Sequence, residues 1–146
     1  MAYKNIVINP QNVSNQASAQ QSQFYNGFST VNDSALTNKI YDFDLIQQDI
    51  KNMFQTKKGE RVMNPNFGTI IWETIYEPFT VDTKQKISDD VTRILNFDPR
   101  VTPTEIKITE APYGLIIEAT LFYKKFNLSK QMSLAFDKEL GIVSQQ

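Results

Sequence analysis

Neither cysteine nor histidine occurs among the 146 residues of this chain. Without thiols there can be no disulfide framework, thiolate zinc site or cysteine nucleophile. Without imidazole, Ser-His-Asp triads and histidine general bases are excluded as well. Glycine is sparse, five residues scattered singly, so no glycine-rich loop is present to cradle a phosphate. Aspartates with calcium-loop spacing are missing too. Fifteen basic and sixteen acidic side chains leave a net charge of −1, which lacks the cationic excess that phosphate neutralisation requires. No apolar run approaches the roughly eighteen residues of a membrane span. The apolar stretch Ile6-Val7-Ile8 is too short for a leader core and is followed at once by Asn9 and Pro10. These absences predict no cofactor, no metal, no nucleic-acid partner and no membrane partner, with synthesis and retention on the cytoplasmic side.

What remains is rich in apolar surface. Ten phenylalanines and six tyrosines, within 40% hydrophobic residues, can fill the core of one ordinary domain. The first part differs in composition. No charge occurs between Lys4 and Asp33, and twelve of the nineteen residues from Asn9 to Gly27 are Asn, Gln or Ser. Such a stretch buries too little to offset chain entropy by itself. Phe24, Tyr25 and Phe28 are spaced as anchors, and Ile6-Val7-Ile8 could join a sheet edge. Residues 1–38 are therefore expected to be an extended polar arm that orders against a neighbour.

Periodicity locates the elements that follow. Asp44-Leu-Ile-Gln47 has capping-box spacing, and Leu45, Ile46, Ile50, Met53 and Phe54 share one face, predicting a helix over 44–56. Gly59 ends it after Lys57 and Lys58, which suit the negative end of the helix dipole. Ile70, Ile71, Trp72, Ile75 and Tyr76 predict a short buried helix or turn that Pro78 closes. Thr80 caps a second long helix over 80–96, with Ile87, Val91, Ile94 and Leu95 as its stripe and Pro99 beyond its end. Alternation then predicts strands at 105–109, 115–123 and about 132–136, separated by an Ala111-Pro-Tyr-Gly114 turn and by Asn127. The expected fold is α+β, with two main helices packed on a three-stranded antiparallel meander. A domain over 39–140 and a tail over 141–146 complete the organisation.

Catalysis, if present, rests on carboxylates. Glu60, Glu73, Glu77, Asp89 and Asp90 are the candidates for a glycosidase pair, but none sits in a recognisable cleft pattern. Asp89 and Asp90 are expected on the exposed side of the second helix. No catalytic, cofactor-binding or metal-binding residue is assigned. Two short motifs carry more information. Gly59-Glu60-Arg61 leads into Asn64-Pro65-Asn66-Phe67-Gly68, where Pro65 forces Asn64 away from helical geometry and Gly68 permits a close turn. Arg61 can cap helix carbonyls or pair with an internal acid. Asp98-Pro99-Arg100 follows the second helix, its proline holding Asp98 and Arg100 in a fixed relation, and an arginine fork suits carboxylates and carbonyls.

This order of motifs resembles the small baseplate wedge proteins of contractile-tailed phages, a family with lysozyme-like names that is related to a type VI secretion baseplate component. The resemblance spans residues 41–136. It implies a structural protein of the virion tail baseplate, assembled in the host cytoplasm, and not an enzyme. It implies fold maintenance for Gly59, Glu60, Arg61, Asn64, Pro65, Phe67 and Gly68. It assigns partner binding to Asp98, Pro99 and Arg100, docking on a helix bundle of larger wedge subunits; here Asp98 stands where the family usually has Glu. Its sheet resembles the interlocking domain of the tail sheath subunit, implying sheath initiation by β-strand addition, with other baseplate or tube proteins as partners for the arm. The alternatives are a carboxylate-dependent peptidoglycan hydrolase and a small regulatory binder like a bacterial anti-adaptor that shares the fold.

Overall fold

A computed structural model describes residues 24–29 and 39–144. The chain forms two compact units, residues 1–45 and 46–146, and each is treated by itself. Ile6-Val7-Ile8 and most of the expected arm lie outside the described residues.

In the first unit, strand β1 (Asn26–Phe28) pairs antiparallel with β2 (Lys39–Tyr41), Gly27 opposite Ile40. Helix α1 (Asp42–Gln55) begins directly after β2. Asp42 adopts a positive φ of 47°, a region that a short polar side chain tolerates when it bonds locally. Its Oδ1 accepts the amides of Phe24 and Tyr25, both at 2.9 Å, and its own N–H donates to Tyr25 O at 3.1 Å. The helix thus starts two residues before the expected cap at Asp44, because Asp42 bonds the backbone of Phe24 and Tyr25 just ahead of β1. Leu45 lies against bare Gly27, where a Cβ would come within 2.3 Å of Leu45 Cδ1.

The second unit is built on a four-stranded antiparallel sheet in the order β3 (Val101–Ala111), β4 (Gly114–Tyr123), β5 (Leu128–Asp137), β6 (Gly141–Ser144). Strand β4 alternates strictly, burying Leu115, Ile117, Ala119, Leu121 and Tyr123 on one face. Met132, Leu134 and Phe136 of β5 continue that face. The buried stripe Ile46, Ile50, Met53 and Phe54 of α1 and the stripe Ile87, Val91, Ile94 and Leu95 of α3 (Val81–Phe97) complete the core. Phe54 meets Phe136 edge-on, with centroids 5.8 Å apart, and Trp72 of the short helix α2 (Ile71–Thr74) lies 5.5 Å from the same ring. The Trp72 indole N–H donates to Phe54 O at 2.9 Å, so its polar edge is satisfied where the ring is half-buried. Thr80 caps α3 as its spacing predicts, Oγ1 accepting from Thr83 N at 3.2 Å.

The expected architecture of two helices on a three-stranded meander is overturned. The sheet has four strands, a separate two-stranded sheet lies within 26–41, and strand accounts for more of the second unit than helix does. The fourth strand occupies residues expected to be tail. Asp137 Oδ1 accepts the amides of Glu139 at 2.7 Å and Leu140 at 3.1 Å, and Gly141 at φ +80° completes the reversal. Four residues with two central apolar side chains carry almost no periodic signal. Strand β3 is also longer than the alternation suggests, because it runs through Pro103 on a sheet edge with a register shift between Pro103 and Glu105.

Candidate functional site

Between α1 and α2 the backbone makes a closed loop over residues 57–69. Its neck is fastened by Thr69 N–H to Thr56 O (2.9 Å) and Lys58 N–H to Thr69 O (3.0 Å). Inside, Gly59 N–H donates to Pro65 O at 2.9 Å, and turns close from Asn64 N–H to Arg61 O and from Phe67 N–H to Asn64 O. Glu60 Oε2 accepts from Lys57 N at 3.0 Å, so its carboxylate stabilises its own turn. Gly68, at φ +103°, is required twice over. Its backbone is left-handed, and a Cβ there would sit 2.6 Å from Thr56 O and 2.8 Å from Lys57 O.

A second element holds this loop from outside. Asp90 of α3 is 6% exposed, and its Oδ2 accepts Thr69 Oγ1 at 2.7 Å and Ile70 N at 3.0 Å. Its Oδ1 takes Arg93 through Nε (3.1 Å) and Nη2 (2.7 Å). Arg93 then donates to Asn66 O at 3.0 Å and Gly68 O at 2.6 Å. The expectation that Asp90 lies on the exposed side of its helix is therefore wrong. Asp90 falls at the i+3 position after Ile87 and just before Val91, on the apolar stripe itself, which was the available signal. Asp89 does face solvent, bonded to Gln85 Nε2 at 2.8 Å.

The Asp98-Pro99-Arg100 turn joins α3 to β3. Extended backbone at Asp98 (φ −86°, ψ 112°) ends the helix, as a residue before proline tends to do. Asp98 Oδ1 accepts the Arg100 amide at 2.9 Å and Nε at 2.8 Å, while Oδ2 accepts Nη2 at 2.5 Å. The same Nη2 donates to Asp49 Oδ2 of α1 at 2.6 Å. Burial pushes the Asp98 carboxyl up, but bonds from the Arg100 guanidinium and amide, aided by its charge and that of Lys124, outweigh it and hold the group below the usual carboxylate value. The bond to Asp98 raises Arg100 above its ordinary value, against burial and with help from Asp49. Arg100 is thus committed to two internal carboxylates, and Asp49 is a member of the site that sequence reading did not include.

The two motifs meet at one cavity of about 440 Å³. Ile50 and Met53 of α1, Ile94 and Phe97 of α3, Phe67 and Pro99 give it an apolar lining. Arg61, Asp49, Asp98 and Arg100 supply the charged groups around it. The Arg61 guanidinium carbon lies 3.8 Å from the Phe67 ring centroid, and Phe67 meets Phe97 edge-on at 6.3 Å. The structure thus brings together Arg61, Phe67, Asp98, Pro99 and Arg100; Gly59, Glu60, Asn64, Pro65 and Gly68 shape the loop and do not line the cavity.

Glu73 and Glu77 are exposed on and beyond α2. Among the described residues no group of three acidic side chains could hold a metal ion, and no helix is long and apolar enough to cross a membrane.

Comparison with known proteins fits this arrangement. The model of a family described as baseplate wedge protein gp25 matches residues 42–122, more than half of the chain and the span that holds both motifs. That match makes the protein a structural component of a baseplate. The chain belongs to the baseplate wedge protein gp25 family. Its fold is similar to that of a candidate tail lysozyme from Geobacter sulfurreducens, with a TM-score of 0.56 and 20% identity over 70% of this chain and 90% of that one. It is also similar to a chain of the anti-feeding prophage baseplate, seen by cryo-electron microscopy with 6-fold symmetry, with a TM-score of 0.53 and 21% identity over 69% and 82% of the two chains. Identities this low establish likeness of fold alone. No curated protein matches the chain.

Proposed function

We propose that this protein docks on a helix bundle of larger wedge subunits through the cavity bounded by Asp98-Pro99-Arg100, and that its sheet starts tail sheath assembly by accepting a strand. The carrying observation is the Arg100 fork, which ties the turn to Asp49 of α1 and so fixes a preformed apolar cavity between two loops. For the strand, the support is the incomplete cover of β5. Strand β6 pairs with Leu134–Asp137 only, and Leu128–Ser133 have no strand on their outer side among the described residues. At the opposite edge β3 carries Pro103 and an irregular register, which make it the poorer template.

A hydrolase would need one carboxyl kept protonated and a second held across a cleft. The carboxylates beside this cavity, Asp49 and Asp98, are both bonded to one guanidinium, and Asp98 is shifted the wrong way for a general acid. Supplying a tagged copy to cells that make the particle, followed by electron microscopy with a label on the tag, tests the reading. Label at the tail base is expected; label absent from assembled particles would overturn it.

A further inference from the structure

We infer that Arg61, rather than Arg100, is the residue that reads the charge of the docked partner, and that the partner element is an amphipathic helix placing a carboxylate against Arg61 and an apolar side chain in the cavity. The inference rests on the docking reading and specifies its partner. Of the three arginines, Arg93 is held by Asp90, and Arg100 by Asp98 and Asp49. Arg61 is stacked on Phe67 and has no carboxylate partner among the described residues. Stacking consumes the flat face of a guanidinium and leaves its in-plane N–H donors available, the geometry that a carboxylate fits.

The surroundings of Arg61 also favour contact over solvation. Val62 and Met63, in the turn that Asn64 N–H closes onto Arg61 O, are 92% and 97% exposed, and Phe97 is 60% exposed. Phe97 lines the cavity and Val62 and Met63 follow Arg61 in the chain, and large exposed apolar side chains of this kind mark an interaction surface. Covering them would strip water from Arg61 and strengthen its pairing. The Asp49-Asp98-Arg100 group sets two carboxylates against one guanidinium, with Lys124 acting on Asp98 as well, so its charges are largely matched within the fold. The charge of the lining that is not matched by an ion pair among the described residues is therefore cationic, at Arg61, and it favours an occupant that brings an acid to that point. The cavity is lined by residues of helices α1 and α3 and of turns, and no strand edge lines it. An apolar side chain flanked by an acid on the same face is what a helix presents.

The test uses the full chain, labelled with nitrogen-15, and two capped helical peptides. One has a central leucine with a glutamate one turn before it and a lysine one turn after; the other replaces that glutamate with glutamine. The glutamate peptide should shift amide signals of residues 49–53, 61–67 and 97–100, and should bind about twofold to fivefold more tightly than its glutamine counterpart. Arg61→Gln should bring the two peptides to parity, and Arg61→Lys should keep part of the difference. Equal binding of the peptides to the unaltered chain, shifts elsewhere, or no binding would overturn the inference. In particles, normal incorporation of Arg61→Gln beside a correctly placed unaltered chain overturns this inference alone, whereas absence of the unaltered chain from the tail base overturns the docking reading.

Discussion

Arg93 reaches back one turn along α3 to Asp90, Nη2 lying 2.7 Å from Oδ1, and the same guanidinium grips the carbonyls of Asn66 and Gly68. An ion pair within a helix usually adds a few tenths of a kcal/mol. Here the pair links the helix to a loop that has little regular structure of its own. Asp90 also accepts from Thr69 and Ile70, supplying acceptors at the start of α2, where Ile70 provides no side-chain cap. One buried carboxylate therefore sets the position of both the 57–69 loop and the following helix.

Asp90→Ala should cost about 3 kcal/mol or more, since it strands Thr69 Oγ1 and the Ile70 amide and leaves Arg93 without its anion. Asp90→Asn keeps the shape and one acceptor and should cost less. Urea denaturation measures both, and limited proteolysis within residues 57–69 should speed up in the same order. A loss under about 1 kcal/mol for Asp90→Ala would show that the clamp is unimportant.

Gly68→Ala should be destabilising by at least 1–3 kcal/mol, because a left-handed φ and a 2.6 Å approach to Thr56 O both oppose a side chain. Gly59→Ala isolates the first effect. Its φ is +87°, but no atom lies within 4 Å of the added carbon, so its loss in thermal denaturation should be clearly smaller. Equal losses would mean that crowding at Gly68 contributes nothing.

Helix α3 and strand β4 were readable because their apolar residues recur at one period over ten or more positions, Ile87 to Leu95 and Leu115 to Tyr123. Strand β6 and the β1–β2 pair were not, since three or four residues are too few for a period and their strand state depends on pairing with a partner strand. The loop motif and the Asp-Pro-Arg turn were visible as residue types. That they share one cavity was not, because their proximity is created by α1, which contributes Asp49, Ile50 and Met53 between them. Asp90 is a different case: its place on the apolar stripe is in the sequence, whereas Thr69 and Ile70, which make its burial tolerable, come beside it only in the fold.

Acid should weaken the turn through Asp98. Its carboxyl is held below the ordinary value of 3.8, so in the unfolded chain it takes up a proton at higher pH than in the folded one. The stabilisation is then complete above about pH 5 and is lost as pH falls through the unfolded and then the folded value. The group is only partly buried, so solvent screening limits the effect to roughly 1 kcal/mol or less. Comparing the unaltered chain with Asp98→Asn by urea denaturation between pH 7 and pH 2 should show a constant gap that closes in acid. A gap that widens on acidification would mean that the sign is wrong.

The last prediction concerns what Arg100 does for the cavity. Arg100→Ala should leave the fold intact at a cost of about 1–3 kcal/mol, since exposed Asp49 recovers water while Asp98, 11% exposed, loses its principal partner. Arg100→Lys restores the charge but not the fork, and one ammonium cannot serve both Asp98 oxygens and Asp49 together. A double-mutant cycle of Asp49→Ala with Arg100→Ala should give a coupling of about 0.5–1 kcal/mol, and the same cycle with Arg100→Lys a smaller one. The functional readout is entry into particles, which should fall for Arg100→Ala and recover only in part for Arg100→Lys. If the arginine acted as a bare positive charge, lysine would restore entry completely. If it instead fixes the turn against α1, entry should track the coupling energy across the set of variants rather than the net charge of the turn.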